Sequence, residues 1–144
     1  RVGVHGVAFI GEPEPEVEET ISSFGHVRRL GRLPPLDPLD AGTRLTPSSN
    51  GRLAGHTSDA YWNFGGPFGG YTAAVLMRAV MDDPRRLGPP VAQTANFCAP
   101  IVKGAFEVDL KLQRDGKATQ HWSLELHQAG IVAATASIIC AMSS

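Results

Sequence analysis

The clearest structural signal in the chain is the stretch Gly65-Gly-Pro-Phe-Gly-Gly-Tyr-Thr-Ala-Ala-Val-Leu-Met-Arg-Ala-Val-Met81. A glycine-rich turn leads here directly into residues 71–81, which are rich in good helix formers and carry a single charge, on Arg78. A helix that is apolar nearly all round must be buried on most of its sides. The sequence therefore predicts a central buried helix with glycines at its N-terminus.

Strand-like segments lie on both sides of this helix. Before it, two short candidates surround a turn that ends in Asn-Gly, and after it four longer ones follow: residues 43–46, 52–57, 91–98, 106–113, 121–127 and 131–141. The segment 106–113 alternates apolar and charged or amide residues without error. The last segment is apolar almost throughout, which is typical of a strand covered on both faces. Two strands, one helix and four strands predict the α+β class, with an antiparallel sheet wrapped around the central helix.

Composition excludes several classes of protein. Of the 144 residues 42% are hydrophobic and 19% charged, and the net charge is −1, so there is no electrostatic case for nucleic-acid binding. No apolar run approaches the ~18 residues of a membrane span. The two cysteines have neither zinc-ligand nor disulfide spacing, so we expect no metal site. A cytoplasmic location is the default expectation.

Residues 1–38 differ from the rest and are predicted to form an N-terminal leader or arm. Five acids fall in the eight positions 12–19, and residues 16–30 could form a helix with arginines in its last turn. A proline-rich stretch from Arg32 onwards predicts an extended connector. The pattern assigns no function to this leader. The second domain is predicted over residues 39–144.

Several short motifs, taken in order, match a known pattern. They are Trp62, the run from Gly66 to Tyr71 at the start of the helix, Asn96-Phe-Cys-Ala-Pro100, Gly116-Lys117, and Gln128-Ala-Gly130 followed by Val132-Ala-Ala-Thr-Ala. Over about residues 39–142 the chain thereby resembles the acyl-CoA thioesterase II-like hotdog proteins. The resemblance implies a hotdog fold and hydrolysis of acyl-CoA or acyl-carrier thioesters in lipid metabolism. Coenzyme A would enter as part of the substrate, with no separate cofactor. Because the family often has two hotdog domains per chain, a homodimer would have to supply the second.

The glycine turn is the predicted substrate site. A helix N-terminus exposes unpaired backbone N–H groups and the positive end of the helix dipole, which can stabilise a thioester oxyanion. Gly69, Gly70 and Tyr71 are the candidate donors, with Asn63 and Phe68 as neighbouring substrate contacts. The alternative is that the glycines only allow close packing of helix against sheet.

Three side chains are candidates for handling the attacking water. Gln128 has the strand parity of the inward-facing Trp122, and by resemblance it matches a water-orienting glutamine; alternatively, its amide fixes its own hairpin. By resemblance, Thr119 falls near the catalytic Ser/Thr position of the family. Its strand parity is opposite to that of Gln128, so a bulge or strand-end twist would be needed to bring the two side chains together. Asp59 could be a general base or only a loop or helix-cap residue.

One departure from the family affects the expected activity. The catalytic carboxylate of the family would lie near the start of the strand after the helix, yet residues 91–96 contain no acid. The alternative is that the chain resembles the silent half of two-domain members and is a non-catalytic acyl-binding or dimerisation half-domain. A second alternative is a dehydratase or isomerase on the same fold, which would use a pair such as His56 with Asp59.

Overall fold

The computed structural model describes the backbone of residues 6–10 and 28–33, and residues 37–143 in full. The chain divides into two compact units, residues 1–37 and 38–144. In the first unit, β1 (Gly6–Ile10) pairs in parallel with β2 (Arg28–Leu33). The helix expected over residues 16–30 cannot extend to its predicted end, because residues 28–30 belong to β2. The remainder of that expected helix and the acidic run lie outside the described residues.

The second unit begins with short elements that precede the main helix. They are α1 (Pro38–Gly42), β3 (Thr46–Pro47), β4 (Leu53–His56), a 3₁₀ turn (Asp59–Tyr61), β5 (Trp62–Asn63) and β6 (Gly66–Pro67). The main helix and four longer strands follow: α2 (Gly69–Met81), β7 (Pro90–Phe97), β8 (Ala105–Asp115), β9 (Thr119–Gln128) and β10 (Ile131–Ala141). The short helix α1 has no counterpart among the predicted elements.

A six-stranded antiparallel sheet is the main structural element of this unit. Its six strands run in the order β3-β4-β8-β9-β10-β7, and every neighbouring pair is antiparallel. The helix α2 packs against β7 to β10. The predicted α+β class, with an antiparallel sheet around one main helix, is confirmed.

The core lies between α2 and the inner face of the sheet. Alternation along β8 and β9 sends every second side chain inward, as the sequence pattern predicted. The fully buried side chains include Val75, Leu76 and Val80 of α2 and Val108, Trp122, Leu124, Leu126 and Ile138 of the sheet. Burial of the strand side chains fixes the register of the sheet, because a one-residue slip of a strand would turn its buried side chains to solvent.

Two surfaces are less covered than the sequence predicts. One side of α2 is buried, while Ala73, Ala74 and Met77 on the other side are only half-buried. On β10 the outward side chains are half-buried or, at Ser137, exposed. Within residues 37–143 one main helix packs on one face of the six-stranded sheet, so each of the two is covered on one face only. The expectation that α2 and β10 are buried on most sides is therefore not met within one chain.

Candidate active site

The N-terminus of α2 presents two unpaired amide donors. The Phe68 carbonyl accepts hydrogen bonds from the amides of Tyr71 (2.9 Å) and Thr72 (3.3 Å). Among residues 37–143, by contrast, nothing accepts a hydrogen bond from the amide of Gly69 or Gly70. Tyr71, predicted as a third donor, is therefore occupied, and the two glycine amides remain for a ligand.

Aromatic rings cover the positions where side chains would stand on the two glycines. A Cβ on Gly69 would lie 3.2 Å from the Phe97 ring, and a Cβ on Gly70 would overlap the Phe68 ring. Both rings are more than half exposed, at 59% for Phe97 and 57% for Phe68. At Gly65, upstream, a Cβ would meet nothing within 4 Å. The glycines thus allow close packing, and the groups packed against them are exposed rings that a ligand could displace.

Tyr71 anchors the start of α2. Its side chain is buried, and its hydroxyl lies 2.7 Å from the Gly42 carbonyl and 3.2 Å from the His56 carbonyl. Its ring stacks on Tyr61, with centroids 5.3 Å apart. Burial raises the pKa of the Tyr71 phenol, since the phenolate would lose its solvation. Tyr71, which was predicted to contact substrate, therefore uses its side chain to anchor the N-terminus of α2.

Gln128 lies at the end of β9, where the chain reverses at Ala129-Gly130 with φ of 50° and 74°. Its amide oxygen accepts a hydrogen bond from the Val102 amide at 2.8 Å. Its amide nitrogen donates to the Val102 carbonyl at 2.8 Å and to the Ala105 carbonyl at 3.3 Å. The half-buried side chain also lines an open groove of about 510 Å³. Gln128 therefore holds the loop before β8 and is at the same time accessible from a groove.

Asp59 stands at the start of the 3₁₀ turn and is bound by Lys103. The Lys103 ammonium lies 2.6 Å from the Asp59 carboxylate and 5.4 Å from the centre of the Trp62 ring. The hydrogen bond from Lys103, followed by its positive charge, lowers the pKa of Asp59. Nothing in residues 37–143 hydrogen-bonds His56 to Asp59, and the His56 ring lies instead 2.9 Å from the Thr57 carbonyl. The pair that a dehydratase or isomerase would need is thus not formed.

The loop of residues 98–104 brings the candidate residues together. Gln128 binds it through Val102, and Asp59 binds it through Lys103. Thr57 is joined to its last residue, Gly104, whose amide donates to the Thr57 hydroxyl at 2.9 Å. Asn63 is exposed in the β5–β6 hairpin, directly before the glycine turn. No local pattern points to Lys103, because Asp59 and Lys103 are far apart along the chain.

Thr119 is not part of this group within one chain. It pairs with Ala141 at the start of β9, whereas Gln128 pairs with Ile131 at the other end of the strand. Ten residues of extended strand separate their backbones by about 30 Å. The bulge that the parity argument required cannot bridge that distance.

Other polar groups were not selected by the sequence pattern. Gln93 lies on β7, where the resemblance expects an acid, and its amide nitrogen donates to the Ala73 carbonyl of α2 at 2.9 Å. Asp109, Glu125 and His127 are the described residues whose ligand atoms lie close enough together, within 4.8 Å, to hold a cation. They project from the outer face of β8 and β9, and His127 is already 3.0 Å from Glu125.

Comparison with known families identifies the second unit. The model of the acyl-CoA thioesterase N-terminal domain matches residues 58–141, which is more than half of the chain. The chain therefore belongs to this family. Within the part of the chain that the structure describes, no helix is long and apolar enough to cross a membrane.

Solved structures share the fold. A conserved protein of unknown function with a hot dog fold from Alicyclobacillus acidocaldarius is 35% identical and has a TM-score of 0.72, covering 76% of this chain and 41% of its own. The protein smu.793 from Streptococcus mutans UA159, bound to acetyl CoA, is 15% identical with a TM-score of 0.57, covering 65% of this chain and 81% of its own. The predicted hotdog fold is confirmed. The chain spans about two fifths of the length of the first of these proteins.

A different match concerns a short stretch. Over 42 residues the chain is 64% identical to the ATP-dependent dethiobiotin synthetase BioD of Rhizorhabdus wittichii. This stretch is 29% of the chain and 20% of the synthetase, so the chain spans about a fifth of the length of this relative.

Proposed function

We propose that the protein hydrolyses acyl-CoA thioesters, with the thioester carbonyl at the glycine turn. The observation that carries this proposal is the pair of unpaired amides of Gly69 and Gly70 at the N-terminus of α2, in a member of an acyl-CoA thioesterase family. A thioester oxygen gains negative charge as water attacks, and each well-placed donor lowers that barrier by about 3 kcal/mol. The dipole of the 13-residue helix acts in the same direction.

Water would attack the carbonyl carbon from the side of the loop of residues 98–104. The Asp59 carboxylate would take the proton of the water, and the CoA thiolate would leave as the carbon–sulfur bond breaks. Gln128 would orient the water by exchanging its hydrogen bond to Val102 for one to the water. Thr119 lies about 30 Å from Gln128 along β9. A threonine at this position would therefore take part in the reaction only if it came from a second subunit.

The substrate would be an acyl-CoA or acyl-carrier thioester. The half-buried residues Ala73, Ala74 and Met77 offer an apolar side of α2 for the acyl chain. Coenzyme A would be part of the substrate, so the reaction would need no separate cofactor. The S. mutans protein with this fold is bound to acetyl CoA, which supports the substrate class. We propose a role in lipid metabolism, and a cytoplasmic location that agrees with two free cysteines.

The sheet edges support a homodimer. At one edge, β3 has two residues, one of which is Pro47, and such an edge resists further pairing. At the other edge, β7 offers eight residues without a charge, PVAQTANF, with Val91 and Phe97 more than half exposed. A second copy paired along β7 would continue the sheet and cover those side chains.

Release of free thiol from a panel of acyl-CoA thioesters tests the hydrolysis. The full chain is expected to release CoA from at least one chain length in a saturable, enzyme-dependent manner. A folded protein that leaves short, medium and long acyl-CoA intact would contradict the proposal.

A non-catalytic acyl-binding and dimerisation half-domain is the second candidate function. Two observations favour it: Gln93 instead of an acid on β7, and a Gln128 amide that is already hydrogen-bonded on both its atoms. Isothermal titration with a non-hydrolysable acyl-CoA analogue separates the two functions. Binding without thiol release supports the half-domain, and binding with thiol release supports the enzyme.

A further inference from the structure

Two phenylalanine rings flank the unpaired amides of the glycine turn. Phe68 directly precedes the two glycines, and its ring occupies the position that a Cβ on Gly70 would take. The Phe97 ring, from the end of β7, lies 3.2 Å from the corresponding position on Gly69. The register partner of Phe97 on β10 is the fully buried Ala134, so Phe97 projects from the inner face of the sheet. Two different elements thus bring one ring each to the two amide donors.

Both rings have surface available for a ligand. Phe68 and Phe97 are each more than half exposed. Within residues 37–143 the rings that stack on one another are those of Tyr61 and Tyr71, so Phe68 and Phe97 do not cover each other. Apolar and aromatic side chains around a few well-placed polar groups are the usual lining of a small-molecule site.

The position of the carbonyl determines which part of a substrate meets the rings. In the proposed reaction the thioester oxygen accepts hydrogen bonds from the amides of Gly69 and Gly70. The carbonyl carbon bears the acyl group on one side and the pantetheine sulfur on the other. The pantetheine arm contains amides, which would lose hydrogen bonds to water against apolar rings. The first carbons of the acyl group are therefore the part that lies against Phe68 and Phe97.

An aromatic acyl group gains more from this position than an alkyl chain with the same number of carbons. Aromatic rings in offset or edge-to-face contact gain about two- to tenfold in affinity beyond the burial of apolar area. A ring attached close to the carbonyl also has fewer rotatable bonds to fix on binding than an extended chain has, so it loses less conformational entropy.

We propose that Phe68 and Phe97 determine the acyl specificity of the site, and that its substrates are arylacyl thioesters, with an aromatic ring one or two carbons from the carbonyl. This inference rests on the proposed binding of the carbonyl at Gly69 and Gly70. It does not require hydrolysis, because an acyl-binding half-domain with these rings would show the same preference.

Three CoA thioesters with equal numbers of acyl carbons test the preference: phenylacetyl-CoA, cyclohexylacetyl-CoA and octanoyl-CoA. The second has the ring without the π-system, and the third has neither. We expect kcat/KM for thiol release to be at least about fivefold higher for phenylacetyl-CoA than for the other two. Release from octanoyl-CoA or cyclohexylacetyl-CoA with an equal or higher kcat/KM would overturn the specificity and leave the proposed hydrolysis standing.

Leucine variants test whether the two rings cause the preference. Phe68→Leu and Phe97→Leu remove a ring but keep an apolar side chain, and each should lower the ratio of phenylacetyl-CoA to octanoyl-CoA turnover at least about threefold. Phe64→Leu is the matched control, because the Phe64 ring is fully exposed in the turn between β5 and β6 and should leave that ratio unchanged. Phe97 also lies on the edge of the proposed dimer, so Phe68→Leu is the variant that acts independently of association. A wild-type ratio in both Phe68→Leu and Phe97→Leu would overturn the proposal.

Isothermal titration separates this inference from the hydrolysis. The ligands are non-hydrolysable analogues of phenylacetyl-CoA and octanoyl-CoA in which a methylene group replaces the thioester sulfur. Binding of the phenylacetyl analogue at least about fivefold more tightly, without thiol release from any substrate, would support the specificity and contradict the hydrolysis. Equal affinities would overturn the specificity, and neither binding nor thiol release would overturn both proposals.

Discussion

The contact between Lys103 and Asp59 determines how the Asp59 carboxylate responds to pH. Lys103 both donates a hydrogen bond to the carboxylate and places a positive charge beside it, and the two effects lower the pKa of Asp59 below its ordinary value. The carboxylate then stays ionised from pH 5 upwards. Protonation of Asp59 should therefore cause no loss of thiol release between pH 5 and pH 9.

Replacement of Lys103 tests this assignment. Lys103→Gln removes the charge and weakens the hydrogen bond, so the pKa of Asp59 should rise toward its ordinary value. A carbon-13 NMR titration of the carboxyl groups measures the change. Lys111→Gln is the matched control, because Lys111 projects from β8 and has no contact with Asp59. Identical titration of Asp59 in the wild type and in Lys103→Gln would show that the ion pair does not form in solution.

Gln128 stabilises the loop before β8, a role that the sequence pattern did not reveal. Its three hydrogen bonds hold Val102 and Ala105, and each is worth about 0.5–1.5 kcal/mol, at the low end for a half-buried group. Gln128→Ala should therefore destabilise the second unit by about 1–2 kcal/mol and lower its melting temperature by several degrees. Gln113→Ala, which removes one hydrogen bond on the outer face, is the milder control.

Thermal unfolding followed by circular dichroism measures both glutamine variants. If Gln128→Ala kept the wild-type melting temperature but lost turnover, Gln128 would act on water and would not support the loop. If Gln128→Ala lowered both the melting temperature and the turnover, Gln128 would support the loop, and the loss of turnover would follow from displacement of the loop.

At the scale of elements, the uncharged edge of β7 makes the dimer testable. Thr94 is exposed on β7, and a charge at this position would have to be buried in the proposed contact. Thr94→Lys should therefore weaken the dimer at least about tenfold, as measured by analytical ultracentrifugation over a range of concentrations. Ser137→Lys is the matched control, since Ser137 is the exposed register partner of Thr94 on the inner strand β10. Equal dissociation constants for the two variants would place the interface elsewhere.

Local pattern was sufficient to predict the main elements. Alternation along β8 and β9 and the apolar run of α2 reflect burial on one side, which each segment shows by itself. The turn at Ala129-Gly130 was likewise visible. The short helix α1 escaped prediction, because a five-residue element has too few periods to give a pattern.

The candidate site was predicted in part, for a physical reason. The Gly69-Gly70 turn is a local signal, since free amides are a property of any helix start. Contacts between distant segments leave no local signal in the sequence. Asp59 contacts Lys103, and Gln128 contacts Val102, only because the loop of residues 98–104 lies beside both of them in the folded chain. Strand parity likewise assigns Thr119 to a face of the sheet, but it does not show that Thr119 lies at the opposite end of β9 from Gln128.

At the scale of the whole molecule, two compact units share one chain. Residues 58–141 belong to the acyl-CoA thioesterase family, and a stretch of 42 residues matches dethiobiotin synthetase. The second unit contains the glycine turn, so thioester chemistry is expected to depend on it alone or on two copies of it.

Thiol release by the wild type, Gly70→Val and Gly65→Ala tests whether the thioester carbonyl binds at the glycine turn. A side chain on Gly70 would overlap the Phe68 ring and crowd the space where the carbonyl must reach the two amides, while a methyl group on Gly65 would meet open space. We expect release from acyl-CoA by the wild type, a loss of at least about a hundredfold in Gly70→Val, and a change within about twofold in Gly65→Ala. A folded Gly70→Val protein that turns over acyl-CoA at the wild-type rate would contradict a site at the glycine turn.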